Sequence, residues 1–209
     1  MALPTPSDIY AELECYGIDN TVLSEAWITR RQANFIVPWV ENKTRIPTSG
    51  TRQYTDEYYS GTGSTILVMR RRFISSIEKA ELVINNVVIS QINVSSIDIV
   101  YREGVLKSRR NFEDTAVHPL FPRGTNNIKF DYTVTVPSDV SGMIEESVKY
   151  LVCEQVLGSI ANRTGGGDLS VQAFSRSMGK RGRWTHIRND YARNAHSLLS
   201  PWFGDVAGQ

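Results

Sequence analysis

The chain is poor in the features that mark several protein classes. It has two cysteines in 209 residues, Cys15 and Cys153, too few for a disulfide scaffold, so no oxidising compartment is implied. It has no long hydrophobic run; stretches such as Phe35–Val37 and Val87–Ile89 are far short of a bilayer crossing. It opens on Met1-Ala2-Leu3-Pro4 with no basic and then apolar segment, so no signal peptide is read. It lacks an excess of charge of either sign: 23 Lys and Arg against 22 Asp and Glu give a formal net charge of +1. A generic nucleic-acid coat protein, whose affinity comes from dominant positive charge, is excluded by that balance. The apolar and charged fractions, 41% and 22%, are those of a globular chain rather than a disordered one.

Nucleotide, metal and hydrolase motifs are missing as well. Gly61-Thr62-Gly63-Ser64 lacks the third glycine and the following helix of a dinucleotide loop, and a strand-forming run follows it, so a hairpin turn is predicted there. Gly179-Lys180 lacks the upstream glycine and the Ser/Thr of a P-loop. His118, His186 and His196 have no Cys or carboxylate at metal-ligand spacing, and no nucleophile elbow occurs. No catalytic residue, metal or cofactor is assigned. Glu145-Glu146 fits the acidic first turn of a helix, and Cys153 a small core residue.

The charge that is present is unevenly placed. Residues 1–30 carry Asp8, Glu12, Glu14, Asp19 and Glu25 against Arg30 alone, net −4. Residues 163–193 carry Arg163, Arg176, Lys180, Arg181, Arg183, Arg188 and Arg193 against Asp168 and Asp190, net +5. This asymmetry points to partners at both ends.

Periodicity divides the chain in three. Residues 7–16 predict a short helix, with Ile9, Leu13 and Tyr16 on one face, Ser7 or Asp8 as cap and Gly17 as stop. Residues 19–45 predict a longer helix that Pro38 kinks or breaks. Residues 53–136 then turn rich in β-branched and aromatic residues. Strands are predicted at 53–59, 65–70, 77–84, 87–92, 97–101, 105–107 and 127–136, with a two-residue turn at Asn85-Asn86. The clearest alternation is Ile128, Phe130, Tyr132, Val134 and Val136 against Lys129, Asp131, Thr133 and Thr135. An antiparallel β unit is the natural form. Residues 138–162 predict a helix of about 37 Å with Ile144, Val148, Leu151, Val152 and Ile160 in a stripe.

Gly165-Gly166-Gly167 then breaks the pattern, and residues 164–209 hold scattered aromatics, many arginines and few aliphatics, with a helix expected from about His186 to Leu199. Such a segment is expected to lack a core of its own and to order against a partner. The fold class expected is α+β: a helical bundle (core 1–163) with an inserted antiparallel β subdomain (53–136) and an extended C-terminal arm (164–209). Arg70-Arg71-Arg72 and the group Lys107, Arg109 and Arg110 fit either solvated strand ends or a surface facing phosphates or an acidic protein.

The ordered pieces carry a resemblance. "YYSGTGSTILVMRRRFISSIEKAELVINNVVI", "YREGVLKSRRNF" and "FPRGTNNIKFDYTVTVPSDV" run straight into the long helix, and "SVQAFSRSMG" and "LLSPW" follow. In this order, from about Ile28 to Trp202, the chain resembles the head–tail adaptor (connector, or head-completion) proteins of tailed bacteriophages. It departs from them at Pro38, at Thr133-Val134, and in its long basic tail. The resemblance implies a non-enzymatic virion protein at the head–tail neck, assembled in the host cytoplasm. Copies would form a ring, usually of twelve, beneath the portal protein, extending the DNA channel and presenting a surface to the next neck or tail protein. The implied partners are the portal, neighbouring copies, that downstream protein and, transiently, genomic DNA; a membrane is not among them. On this reading Phe174, Arg181, Arg183, Trp184, Arg188, Tyr191, Arg193, Trp202 and Phe203 bind portal or a neighbouring copy. Arg70, Arg71, Arg72, Lys107, Arg109 and Arg110 face the tail side or the DNA channel. The alternatives are a tail-completion or stopper subunit, a basic-tailed nucleic-acid-binding protein, and a small enzyme without a linear motif.

Overall fold

The computed structural model describes residues 3–108, 121–163 and 182–203, with the side chains of 161–163 and 182–184 excepted. The chain divides into two compact units, Met1–Thr44 with Ser138–Gln209, and Arg45–Pro137. The α+β class expected from the sequence is the one observed.

The first unit is helical. Helix α1 (Pro6–Leu13) starts from a capping box: the Thr5 hydroxyl accepts from the Asp8 amide, and the Asp8 carboxylate accepts from the Thr5 amide at 2.7 Å. The Thr5 hydroxyl, which also donates to that carboxylate at 2.7 Å, and the Thr5 amide hold the Asp8 carboxyl below its ordinary range. A 3₁₀ turn (Glu14–Tyr16) follows and ends at Gly17, whose φ of 70° suits glycine. The next helix begins at α2 (Glu25–Arg31), later than expected, because residues 19–23 form a turn in which Asp19 accepts from the amide and hydroxyl of Thr21. It continues through a π-helical segment (Gln32–Ile36) into α3 (Val37–Thr44). Pro38 therefore does not break the helix. Just upstream of the proline, which has no amide hydrogen to give, the ladder widens by one residue and the Val37 amide bonds the Gln32 carbonyl.

Helix α4 (Ser138–Arg163) is the spine of this unit, with Val140, Ile144, Val148, Val152, Val156 and Ile160 buried. Leu151, expected in the stripe, is only half-buried. Helix α5 (Gly182–Leu199) packs along α4 and ends in a 3₁₀ turn (Ser200–Trp202).

Among the described residues the second unit holds seven strands in two antiparallel sheets, which is the antiparallel β unit expected, divided in two. Strands β1 (Thr51–Gly61), β3 (Ile74–Ile84), β4 (Val87–Gln91) and β7 (Gly124–Thr135) form one sheet in the order β1-β7-β3-β4. Strands β2 (Ile66–Val68), β5 (Ile97–Val100) and β6 (Val105–Ser108) form the other, in the order β2-β6-β5. The alternation read in β7 is realised: Ile128, Phe130, Tyr132 and Val134 are fully buried. Asn85 and Asn86 sit at φ 50° and 63°, the left-handed pair a two-residue hairpin turn needs. The Gly61–Ser64 segment is not a hairpin turn, because β1 and β2 belong to different sheets. It is a crossing between them, and Gly61 is glycine because a Cβ there would lie 1.9 Å from the Pro122 carbonyl oxygen.

Bulges set which side chains meet. Tyr54 pairs with Tyr132 and Glu57 with Phe130, so β1 carries one extra residue between them, where Asp56 takes φ 55°. The extra residue reverses the alternation, and Tyr54 and Tyr59 are both buried although they are five apart. In β3 two such shifts against β7 make the buried residues Ile74, Ile77 and Ala80 recur every third position, and Val83 is buried after a further irregularity against β4, a helix-like period in a strand.

Candidate protein-interaction surfaces

Of the residues expected in the C-terminal arm, Phe174 and Arg181 lie outside the described residues, and Arg183 and Trp184 sit in the first turn of α5 with their side chains outside the description. The others are placed by α5 and the turn after it. Residues 182–203 find their packing on α4 of the same chain. Tyr191, Ala195 and Leu199 recur at intervals of four and are buried within the helical unit. These three, with Ile187, Ala192 and Leu198 half-buried, seat a helix that is otherwise largely polar.

Polar contacts lock the same face. Arg188 pairs with the buried Glu154 carboxylate, which also accepts from Gln155 at 2.6 Å. Gln155 in turn accepts twice from Arg31, at 2.7 and 3.2 Å. A continuous relay thus joins α2, α4 and α5. Arg188 reaches Glu154 by crossing Gly158, where a Cβ would stand 3.4 Å from its Nε. The Tyr191 hydroxyl donates to Glu12 at 3.2 Å, and Lys149 bridges Glu12 and Glu146 at 3.3 and 2.9 Å. Burial pushes the Tyr191 hydroxyl and the Cys153 thiol up, the latter to about 12, so Cys153 is a protonated core residue at neutral pH, as its place in the apolar stripe predicts. Phe203 is half-buried in an edge-packed trio with Trp39 and His196, at ring distances of 5.6 to 6.3 Å. Trp202 is half-buried, and Arg193 is exposed beside Asp190 at 3.5 Å.

In the β unit, Arg109 and Arg110 lie outside the described residues and Lys107 is exposed on β6. Arg70, Arg71 and Arg72 form the bend between β2 and β3. Gly104 positions that bend: its φ is +63°, a Cβ there would lie 1.9 Å from the Arg71 carbonyl oxygen, and its own carbonyl accepts from the Met69 amide at 2.8 Å. Two further arginines, which the sequence did not single out, complete the cluster. Arg45, at φ 62°, donates to the Met69 and Arg70 carbonyls, and its own carbonyl accepts from the Arg72 amide at 2.9 Å. Arg52 and Arg71 each lie 5.2 Å from the centre of the Tyr54 ring, and Arg70 lies 5.2 Å from that of Tyr59.

A buried tyrosine group backs the cluster. Tyr54 stacks on Tyr132 at 5.2 Å, and Tyr59 and Tyr132 both donate to Glu57, at 2.7 and 2.9 Å. Burial pushes both hydroxyls far above the ordinary tyrosine range. Burial also pushes Arg45 and Arg72 below the ordinary arginine value; repulsion from Arg72 and Arg71 adds to the shift of Arg45, and attraction to Glu103 opposes that of Arg72. The Nε atoms of Arg71 and Arg72 are buried without a hydrogen-bond partner among the described residues.

A third surface is apolar. Strand β4 is an edge strand with every residue exposed, and Ile84, Val87, Val88 and Ile89 are 44 to 61% exposed. Among the described residues no group of His, Cys, Asp and Glu could hold a metal ion, and no helix is long and apolar enough to cross a membrane.

An α+β chain of this form, a helical unit interrupted by a two-sheet unit, has counterparts among solved structures. One is a chain in the neck of an empty gene transfer agent particle computed with C6 symmetry, at 12% identity and a TM-score of 0.51, covering 100% of this chain and 96% of that one. Others are a chain in the virion of a native gene transfer agent particle, at 11% identity and a TM-score of 0.43, and one in the native neck computed with C12 symmetry, at 12% and 0.40, with the same coverage. No protein-family model and no curated protein matches the chain.

Proposed function

We propose that the chain is a structural protein of a phage-like virion, located in the neck, whose copies form a ring that carries the DNA channel onward from a portal protein. The ring is dodecameric and offers its free side to the next neck or tail protein. Genomic DNA passes through it with transient, sequence-independent contacts, and assembly takes place in the host cytoplasm. The observation that carries this reading is the end-to-end likeness of the fold to a chain of a particle neck, 100% of this chain against 96% of that one. The near-neutral net charge suits a channel that lets DNA slide, because a strongly basic wall would hold it.

Within this reading residues 164–209 contact portal or a neighbouring copy. The burial of Tyr191, Ala195 and Leu199 in the chain's own helical unit moves that role toward the segment before α5 and the exposed residues of α5 itself. The test is co-sedimentation of the full-length chain with a portal oligomer, with negative-stain imaging of the product. A ring on the portal is expected, lost when Phe174, Arg181 and Trp184 are changed together to Ala. Absence of co-sedimentation, or binding without a ring, overturns the proposal.

A further inference from the structure

Strand edges left open to solvent invite pairing with another chain, and folded proteins blunt them with charge, bulges or covering groups. Among the described residues, three of the four edges in the β unit are blunted. On β1 the Tyr58 carbonyl accepts from the Arg70 guanidinium at 2.9 Å, and the extra residue at Asp56 interrupts the run. On β2 the Ser64 hydroxyl occupies both the amide and the carbonyl of Ile66, at 3.2 and 2.7 Å. Strand β5 is four residues long and carries Asp98. Strand β4 is different. From Leu82 to Ile97 the chain has no charged residue. Among the described residues no hydrogen bond from outside β3 reaches Val87–Gln91. The bulge in β4 makes Ile89 the extra residue, and that side chain is exposed together with Ile84, Val87 and Val88. All five residues of β4 are exposed, so its backbone edge is flanked by open aliphatic surface.

Such an edge takes an extended, uncharged segment: main-chain hydrogen bonds supply the attraction, and apolar side chains cover the aliphatics. A DNA backbone finds no cation there. Residues 169–174 have the required chemistry. They read Leu-Ser-Val-Gln-Ala-Phe, without charge, and apolar Leu169, Val171 and Ala173 alternate with polar Ser170 and Gln172, the period of a strand. Six residues suffice to cover the five of β4. The other stretches outside the described residues do not fit. Residues 109–120 carry Arg109, Arg110, Glu113 and Asp114, and residues 204–209 hold Asp205 and two glycines. Leu169 stands six residues beyond Arg163, the end of α4, which gives it a reach of up to about 20 Å when extended.

We infer that residues 169–174 of one copy add as a fifth strand to the β4 edge of another copy. The inference rests on the ring reading above and names the surface that the segment before α5 contacts. Segment and edge are different surfaces, so the contact is head-to-tail, and every copy both gives and receives a strand.

The probe is a labelled synthetic peptide of residues 167–176, titrated with the full-length chain and read by fluorescence anisotropy. The receptor chain carries Val171→Pro, which disables its own segment because proline cannot donate to a strand ladder. The peptide is expected to bind this chain, and a scrambled peptide is not. Adding Val88→Lys/Ile89→Lys, at two exposed edge positions, should weaken binding by about tenfold or more. Circular dichroism and melting confirm that each variant folds, and Val88→Thr/Ile89→Thr repeats the comparison without adding charge. Copies carrying only Val171→Pro, mixed with copies carrying only Val88→Lys/Ile89→Lys, should form heterodimers in sedimentation velocity, since one intact segment then meets one intact edge. If the peptide does not bind, or binds the lysine variant as well as its parent, the inference falls, and co-sedimentation with portal still judges the ring. If the Val171→Pro chain self-associates like the wild type, β4 pairs with its own copy and the inference falls. If the wild type excludes the peptide at every dilution while the Val171→Pro chain binds it, the segment lies on its own chain and the inference falls. If the peptide binds as expected and no ring forms on the portal, the ring reading falls and the strand addition stands.

Discussion

The two units treat arginine in opposite ways. In the helical unit Arg31 and Arg188 end on the side chains of Gln155 and Glu154, and the relay closes three helices on one another. In the β unit Arg45 and Arg70 donate to backbone carbonyls, and Arg52, Arg70 and Arg71 lie over tyrosine rings. A cation that completes a buried acid serves the fold. Arginines that donate to carbonyls and lie over rings order a bend of the chain instead. The same residue type thus completes a buried acid in one unit and holds a loop in the other, and the neighbours decide which.

Three changes sharpen that contrast. The largest effect is expected from Gly104→Ala, which forces a side chain into a left-handed backbone and against the Arg71 carbonyl. It should lower stability by about 3 kcal/mol and displace the arginine bend, measured by urea unfolding. Next, Arg188→Met should cost about 1.5 kcal/mol, because Glu154 is left buried without its cation, an effect reduced by the half-exposure of Arg188. Arg70→Met, at an exposed position, should by contrast cost less than about 0.5 kcal/mol in the same measurement. Equal costs for the two would erase the distinction between the units.

The smallest effect concerns the β unit's own paired acid. Glu81 accepts from Lys79 and Lys129 at 2.7 and 2.9 Å, and these bonds hold its carboxyl below the ordinary glutamate value. A carboxyl with a lowered folded-state pKa adds stability above its unfolded value and loses it as the pH falls through the folded one. Lys129, raised by Glu81 and then by Asp56, shows the converse and loses its contribution only in strong alkali. Glu81→Gln should therefore lower the melting temperature at pH 7, and the gap from wild type should close as the pH drops below the ordinary glutamate range. A gap unchanged at low pH would show that the ion pairs do not carry the effect.

Much of the architecture was legible. All seven strands and both long helical stretches fall near their expected places, because β7 alternates strictly, Asn85-Asn86 marks a turn and α4 carries an uninterrupted stripe. Two features hid from periodicity. The bulges in β1 and β3 shift the face of every residue beyond them, so the Tyr54–Tyr59–Tyr132 platform and the three-residue period of β3 follow from strand pairing and not from spacing. The seating of α5 was missed because its apolar residues are few and its polar surface resembles a solvated segment; only the partner groove on α4 makes those few sufficient. Arg70–Arg72 stood out as a run. Arg45 and Arg52 did not, since neither is adjacent to it in the chain.

The sequence by itself determined the order of elements, the interruption of the helical unit by a β unit, and the acidic and basic stretches, because these depend on local propensity and on charge counted along the chain. Tertiary structure alone decided that α5 belongs to the helical unit, that β1 and β2 lie in separate sheets, and that Arg52, Arg70 and Arg71 share one tyrosine platform. Each of those depends on groups far apart in the chain, brought within a few ångströms by packing, bulges and close approaches such as that of Gly104 to Arg71, which no local pattern encodes.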